Sequence, residues 1–106
     1  MREITCSTIT DAIKKMCIEA ATILPQDVEK ALSQKHDEED SALAQKTLQV
    51  LMDNAKLAQE KQMPICQDTG MAFVYVTMGQ EVHITGGSLN EAIQEGVRQG
   101  YTEGYL

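Results

Sequence analysis

Tryptophan is missing from this sequence and phenylalanine occurs once, so aromatics make up only 4% of its 106 residues. A core must therefore be filled by Leu, Ile, Val, Met and Ala, a composition that leans towards helices. Basic residues are also scarce, with nine Lys and Arg against sixteen Asp and Glu and a net charge of -7. That balance repels the phosphate backbone on which nucleic-acid affinity depends, so nucleic acid is not an expected partner. A small anion is still admissible, because one helix N-terminus or a few local cations outweigh a diffuse field screened within about 8 Å at physiological salt. No run approaches the roughly 18 apolar residues of a membrane span. The opening "MREITCSTITDAIKKM" has no apolar signal-peptide core. The expectation is a cytoplasmic protein with no membrane partner. Three cysteines, Cys6, Cys17 and Cys66, cannot all pair within the chain. A disulfide framework is not expected, and reduced thiols or metal ligation are left.

The residues that are present read as one domain or a piece of one. From 8 to 21, Ile9, Ile13, Met16, Cys17 and Ala20 recur three and four apart behind a Thr8-x-x-Asp11 capping pattern, which predicts an amphipathic helix. A second helix is predicted from Pro25, with Asp27 in its first turn and Val28, Ala31 and Leu32 on one face. The polar run "SQKHDEED" at 33 to 40 reads as a solvated connection. A third helix runs from Ser41 to about Gln62, its stripe of Ala44, Leu48, Leu51, Ala55 and Ala58 widened by Leu43, Val50 and Leu57. Pro64 is expected to end it.

Beyond, "MAFVYVTM" at 71 to 78 alternates, and Gly79 and Gln80 form a turn before "EVHIT" at 81 to 85. That pattern predicts a β-hairpin. Ser88 followed by Glu91 is a capping box for a last helix with Leu89, Ala92, Ile93 and Val97 inward. The expected fold is α+β and mostly helical: three N-terminal helices, a hairpin, then a further helix. The closing "GVRQGYTEGYL" stops within an apolar pattern, so a fragment of a larger domain is expected.

Between the third helix and the strand pattern lies "PICQDTG", residues 64 to 70, a loop that sets a thiol, an amide, a carboxylate and a hydroxyl side by side. A free cysteine is most often a small buried hydrophobe. Here Pro64 and Gly70 bracket the loop, Gly70 can adopt positive φ, and such crowded polar groups need partners if buried. A nucleophilic Cys66 would want a histidine. His36 in the acidic run is expected to be exposed, His83 is expected to be an ordinary strand residue, and no motif places either. Short Cys or His pairs of the zinc type do not occur. Cys6 and Cys17, eleven residues apart, would be separated by about 16 Å of rise on a continuous helix, too far to share one compact cluster. Cys17 reads as core, and Cys6 is left unassigned. Metal ligand, nucleophile and packing residue all remain open for Cys66 on these grounds.

With its flanks, the loop resembles the iron-sulfur hydro-lyases of the class I fumarate hydratase family, in particular the alpha subunit of the two-subunit form. The likeness extends to "MREIT", "EAATILPQDVEKAL", "GQEVHITGGSLNEAIQEGVRQGY" and "EGYL", and so covers nearly the whole chain. The resemblance implies that Cys66 is one of three thiolates holding a 4Fe-4S cluster, with the other two further along the family's chain. It implies that Gln67 and Asp68 line the substrate site, while Thr69 and Gly70 serve loop geometry. Cys6 and Cys17 inherit nothing from the motif. Three thiolates on four irons leave one iron open as a Lewis acid for a substrate hydroxyl and carboxylate.

On that resemblance, residues 1 to 106 are expected to be the N-terminal part of an alpha subunit, truncated at the C-terminus. It would act in the reversible hydration of fumarate to L-malate, a step of the tricarboxylic acid cycle, and be inactive alone. The expected partners are a dicarboxylate such as fumarate or malate, a beta subunit or C-terminal domain of the same enzyme, and further copies in an oligomer. The catalytic base stays unknown, with Asp68 as a candidate. L-tartrate dehydratase, whose alpha subunit shares C-Q-D-T-G, is the nearest alternative. A non-enzymatic acidic helical module that binds protein through its third helix is another, and a redox-sensing Cys66 thiol a third.

Overall fold

The computed structural model describes residues 1–68 and 70–106; the role expected for Thr69 falls outside the described residues. Among the described residues the order is β1 (Arg2–Thr5), α1 (Cys6–Thr22), α2 (Gln26–Glu38), α3 (Ala42–Lys61), β2 (Val82–Thr85) and α4 (Leu89–Glu103). The mostly helical α+β class is as expected. The chain divides into two compact units, Met1–Glu19 with Asp68–Leu106, and Ala20–Gln67.

In the first unit the expected hairpin is replaced by a parallel pair. Segment 71–79 carries no strand, and β2 pairs with β1 in the register Arg2↔Val82, Glu3↔His83, Ile4↔Ile84 and Thr5↔Thr85. The turn itself forms, with the Val82 N–H donating to the Gly79 carbonyl at 3.3 Å. Its central residues Gln80 and Glu81 lack positive φ. A tight hairpin requires a primed turn with φ > 0 at its first central residue, because other turns splay the arms. The arms therefore part, and β1, which the sequence did not signal, pairs with β2 instead. The eight residues of 71–78 are left outside the sheet and exposed, Tyr75 to 91%.

β1 runs straight into α1, whereas β2 leads to α4 through a short turn. The start of α1 lies at Cys6, two residues before the expected cap at Thr8. The reason is Thr5, whose Oγ1 accepts the Thr8 N–H at 3.3 Å and satisfies a first-turn donor from the end of the strand. Cys6 is thus helical, and its thiol donates to the Ser88 carbonyl at 3.7 Å. Gly86 and Gly87, at φ 86° and 150°, make the turn from β2 into α4, which a Cβ would oppose. Ser88 then caps α4, as expected, by accepting the Glu91 N–H at 3.5 Å.

The helices α1 and α4 meet along a line that the hydrophobic pattern did not reveal. Ala92, Gly96 and Gly100 are the buried residues of α4. A Cβ on Gly96 would stand 2.6 Å from Ile13 Cβ and 2.7 Å from the Thr10 carbonyl oxygen, and one on Gly100 would stand 2.9 Å from Cys17 Cβ. Four-residue spacing keeps these glycines on one face, and their lack of side chains lets the two backbones approach. Across the seam Thr10 Oγ1 donates to the Ala92 carbonyl at 2.9 Å, and Lys14 pairs with Glu103 at 2.8 Å. Cys17 is half-buried at this seam, as its reading as core implied, and burial pushes its thiol pKa up.

In the second unit α2 runs on to Glu38 through most of the stretch expected to be a connection. Side-chain pairing one turn apart carries it: Gln34 Nε2 donates to Glu38 Oε1 at 2.9 Å, and Lys35 Nζ reaches Glu38 Oε2 at 3.1 Å. His36 is half-buried in the last turn, not exposed, with Nδ1 3.2 Å from Asp37 Oδ1. Pro25 stands at the N-cap, one residue before the helix. Ser41 caps α3 by accepting the Ala44 N–H at 3.3 Å. Ala58 is its buried residue, Ala44, Leu48 and Ala55 are half-buried, and Leu43, Val50, Leu51 and Leu57 are exposed.

Candidate functional site around Cys66

The end of α3 decides where Cys66 goes. Gln62 adopts the left-handed conformation at φ 53°, and the Met63 N–H donates back to the Ala58 carbonyl at 3.0 Å. This is the hydrogen-bond pattern of a Schellman stop, and Pro64 follows at the distance where a helix cannot resume. Gln62 rather than Pro64 terminates the helix, and the chain turns back.

Two hydrogen bonds then fix the returning segment inside this unit. The Ile65 N–H donates to the carbonyl of Ala21 at 2.8 Å. Ala21 lies in the last turn of α1, where carbonyls have no partner within the helix. The Cys66 N–H donates to Asn54 Oδ1 at 2.9 Å. Asn54 sits half-buried on α3, twelve residues earlier, and sequence reasoning passed over it. The signal was a poor helix former inside a 20-residue helix beside the apolar stripe, because Asn competes with the backbone for hydrogen bonds.

Cys66 is a free, exposed thiol, so it is not the small buried hydrophobe of the bland reading. Gln67 beside it is exposed and ends the second unit, and the exposed Asp68 begins the later stretch of the first. Cys6 and Cys17 belong to the first unit and are engaged at Ser88 and beneath Gly100. No group of three or more His, Cys, Asp or Glu side chains able to hold a metal occurs among the described residues. Cys66 therefore fits a cluster as one thiolate donor, unpaired and open on its outer side, and the other donors would come from beyond these residues.

Within the first unit a groove of about 460 Å³ runs between Ile4, Ile13, Ile84, Leu89 and Ile93 and segment 74–79. Its lining is apolar except for Arg2 and Thr77, which suits hydrocarbon and not a dicarboxylate. His83 is a strand residue of β2, as expected, and is exposed. No helix among the described residues is long and apolar enough to cross a membrane.

Cys66 is thus an exposed thiol on an anchored loop, followed in the chain by an amide and a carboxylate, and comparison with known proteins gives the class. The family model described as Fumarate hydratase (Fumerase) matches residues 10–106. The chain belongs to that fumarate hydratase family. A Methanocaldococcus jannaschii protein, provisionally named L(+)-tartrate dehydratase subunit alpha, is 35% identical over 90% of this chain and 34% of its own length. A Geobacillus stearothermophilus protein, provisionally named fumarate hydratase class I, is 31% identical over 91% of this chain and 18% of its own length. The L(+)-tartrate dehydratase subunit alpha of Escherichia coli K12 is 28% identical over 82% of this chain and 30% of its own length. The chain thus spans between 18% and 34% of the length of these relatives.

Proposed function

We propose that this chain is the N-terminal part of a hydro-lyase alpha subunit that hydrates fumarate reversibly to L-malate. The observation that carries the reading is Cys66, an exposed free thiol on a twice-anchored loop, in a chain matched from residue 10 to 106 by the fumarate hydratase family. Cys66 supplies one thiolate to a 4Fe-4S cluster. The chemistry such a cluster provides when bound is Lewis-acid polarisation of a substrate hydroxyl and carboxylate at an iron with an open position.

The residues of this chain do the rest of their share by position. Gln67 offers two N–H donors and one acceptor to a substrate carboxylate or hydroxyl. Asp68 is a second substrate-site residue and the candidate for proton transfer to or from the carbon chain or a water. The remaining cluster donors and the cations that neutralise a dicarboxylate come from sequence beyond these 106 residues or from a beta subunit. Two of the relatives are named as alpha subunits, which supports a partner chain and an oligomer. These 106 residues by themselves hold no cluster and are inactive, and the complete enzyme works in the cytoplasm, within the tricarboxylic acid cycle.

Dehydration of L-tartrate is the second reading, favoured by the 35% identity to the M. jannaschii protein of that name. One experiment covers both. The complete, anaerobically reconstituted enzyme is assayed on fumarate, malate and tartrate, with and without Cys66→Ser, alongside its iron content. Loss of iron and hydratase activity together in the variant is expected. Unchanged iron and activity would remove the hydro-lyase role of Cys66 and leave a protein-binding module, for which the exposed Leu43, Val50 and Leu57 on α3 are the available surface. Faster turnover of tartrate than of malate would move the substrate to the second reading.

A further inference from the structure

We propose that Asn54 is the positioning residue for Cys66: its side-chain oxygen holds the backbone of the cluster ligand in the place where the thiolate can bind iron. The inference rests on the reading of Cys66 as a cluster ligand.

The geometry of the return segment makes that single contact matter. From Lys61, the last residue of α3, back to Asn54 is seven residues, about 10 Å along a helix axis. The chain covers that distance in the four steps from Gln62 to Cys66, whose full extension is about 13 to 14 Å. The return segment is short, and hydrogen bonds along it set its path. It is fixed at the turn by the Met63 bond to Ala58, at its middle by the Ile65 bond to Ala21, and at its far end by the 2.9 Å bond from the Cys66 N–H to Asn54 Oδ1. Only that last bond acts on the cysteine itself. Without it the thiol hangs on an exposed loop beyond Ile65, and ligands held loosely lose affinity because the ordering they need is then charged against binding.

Asn54 also fits this role better than a structural one. A half-buried position on a long helix is served best for stability by Leu, Met or Ala, and Asn is a poor helix former. Its side chain spends an acceptor on a residue outside the helix, and that residue is the cysteine. Loss of such an outer partner of a ligand typically costs about 10-fold or more in metal affinity or activity.

The test uses the complete, anaerobically reconstituted enzyme and compares wild type, Asn54→Leu, Asn54→Asp and Cys66→Ser. The readouts are iron per chain, the visible absorption and electron paramagnetic resonance of the cluster, its loss rate under a chelator, and the melting temperature. Asn54→Leu should lose its cluster on the order of 10-fold faster than wild type with little change in melting temperature. Asn54→Asp, which keeps an acceptor oxygen, should restore most of the retention. Wild-type retention in Asn54→Leu, with Cys66→Ser stripped of iron, would overturn the positioning role and leave the ligand assignment standing. Full iron and an unchanged spectrum in Cys66→Ser would instead overturn the ligand assignment. Should Asn54→Leu not fold, amide exchange at Cys66 in the wild-type enzyme decides. Protection there that Asn54→Asp retains upholds the proposal, and exchange at the rate of a free loop overturns it.

Discussion

Two helix contacts among the described residues are built on opposite plans. Between α1 and α4, Gly96 and Gly100 bring backbone against backbone, with Thr10, Ile13, Lys14 and Cys17 filling the line of approach. Between α2 and α3, α2 buries no residue and a polar bond crosses the pair, Gln45 Nε2 to the His36 carbonyl at 3.3 Å. The first contact is fixed by shape, since interiors at close-packed density have no room for an added atom. The second is held by individual side chains that can be exchanged. The Cys66 loop belongs with the second plan: it hangs on hydrogen bonds, so its position is decided by a few polar groups and not by a packed core.

Filling the close contact should have the largest effect. Gly96→Ala gains at most about 1 kcal/mol of helix propensity. It also places a methyl group against Ile13 and the immobile Thr10 carbonyl, an overpacking worth about 1 to 3 kcal/mol. Net destabilisation is expected, read as a lower melting temperature with loss of amide protection concentrated in α1 and α4. If Gly96→Ala melted at or above wild type, the contact would be looser than described.

A smaller loss, about 1 kcal/mol, is expected from Ser41→Ala, which removes the acceptor for the Ala44 N–H at the start of α3. Amide exchange should rise in the first turn of α3 and leave α4 untouched. A global loss as large as that of Gly96→Ala would mean that the polar pair is as tightly coupled as the glycine seam.

Acid separates the two plans by a different measure. The Arg98 guanidinium, and after it the Gln99 amide, pull the Glu95 carboxyl on α4 down to about 2. Glu38 on α2 is lowered by the Gln34 amide first and Lys35 second. Both carboxyls have folded values below the ordinary 4.5, so each contribution is complete above that pH and is lost as pH falls through the folded value. Both groups are exposed, so the effect on stability is small. Carboxyl titration by nuclear magnetic resonance should find Glu95 still ionised at pH 3, and Glu95→Gln should flatten the stability profile between 4.5 and 2. A Glu95 midpoint near 4.5 would show that the pair with Arg98 does not persist in solution.

The smallest effect is expected from Tyr75→Lys. At 91% exposure on an unpaired segment, the substitution should shift stability of this chain by less than about 0.5 kcal/mol. A drop of several degrees would reveal that segment 71–78 is covered by something.

Local rules made much of this readable. Helical periodicity placed α3, and together with the Ser88 cap it placed α4, because a cap needs only residues three apart. The same reasoning failed at 71 to 85, where alternating β-branched residues and a Gly-Gln turn suggested a hairpin. Strand propensity says that a segment fits a pleated surface and not which edge it will find. Glycines at 96 and 100 were visible at four-residue spacing, but their meaning depends on a second helix. Cys66, Gln67 and Asp68 could be singled out from their chemistry, whereas Asn54 looked like one of many polar helix residues until the loop returned to it.

What the sequence by itself determined is therefore whatever is settled within a turn or two: helical stretches, caps, the scarcity of aromatics, and a loop rich in chemistry with one cysteine in it. Tertiary structure alone decided the parallel pairing of β1 with β2, the partner of the glycine stripe, and the bond from Asn54 to the cysteine backbone. Each of those joins groups 12 or more residues apart, and most of them 80 or more. A contact over such a separation depends on where the intervening chain is placed, and no local preference carries that information.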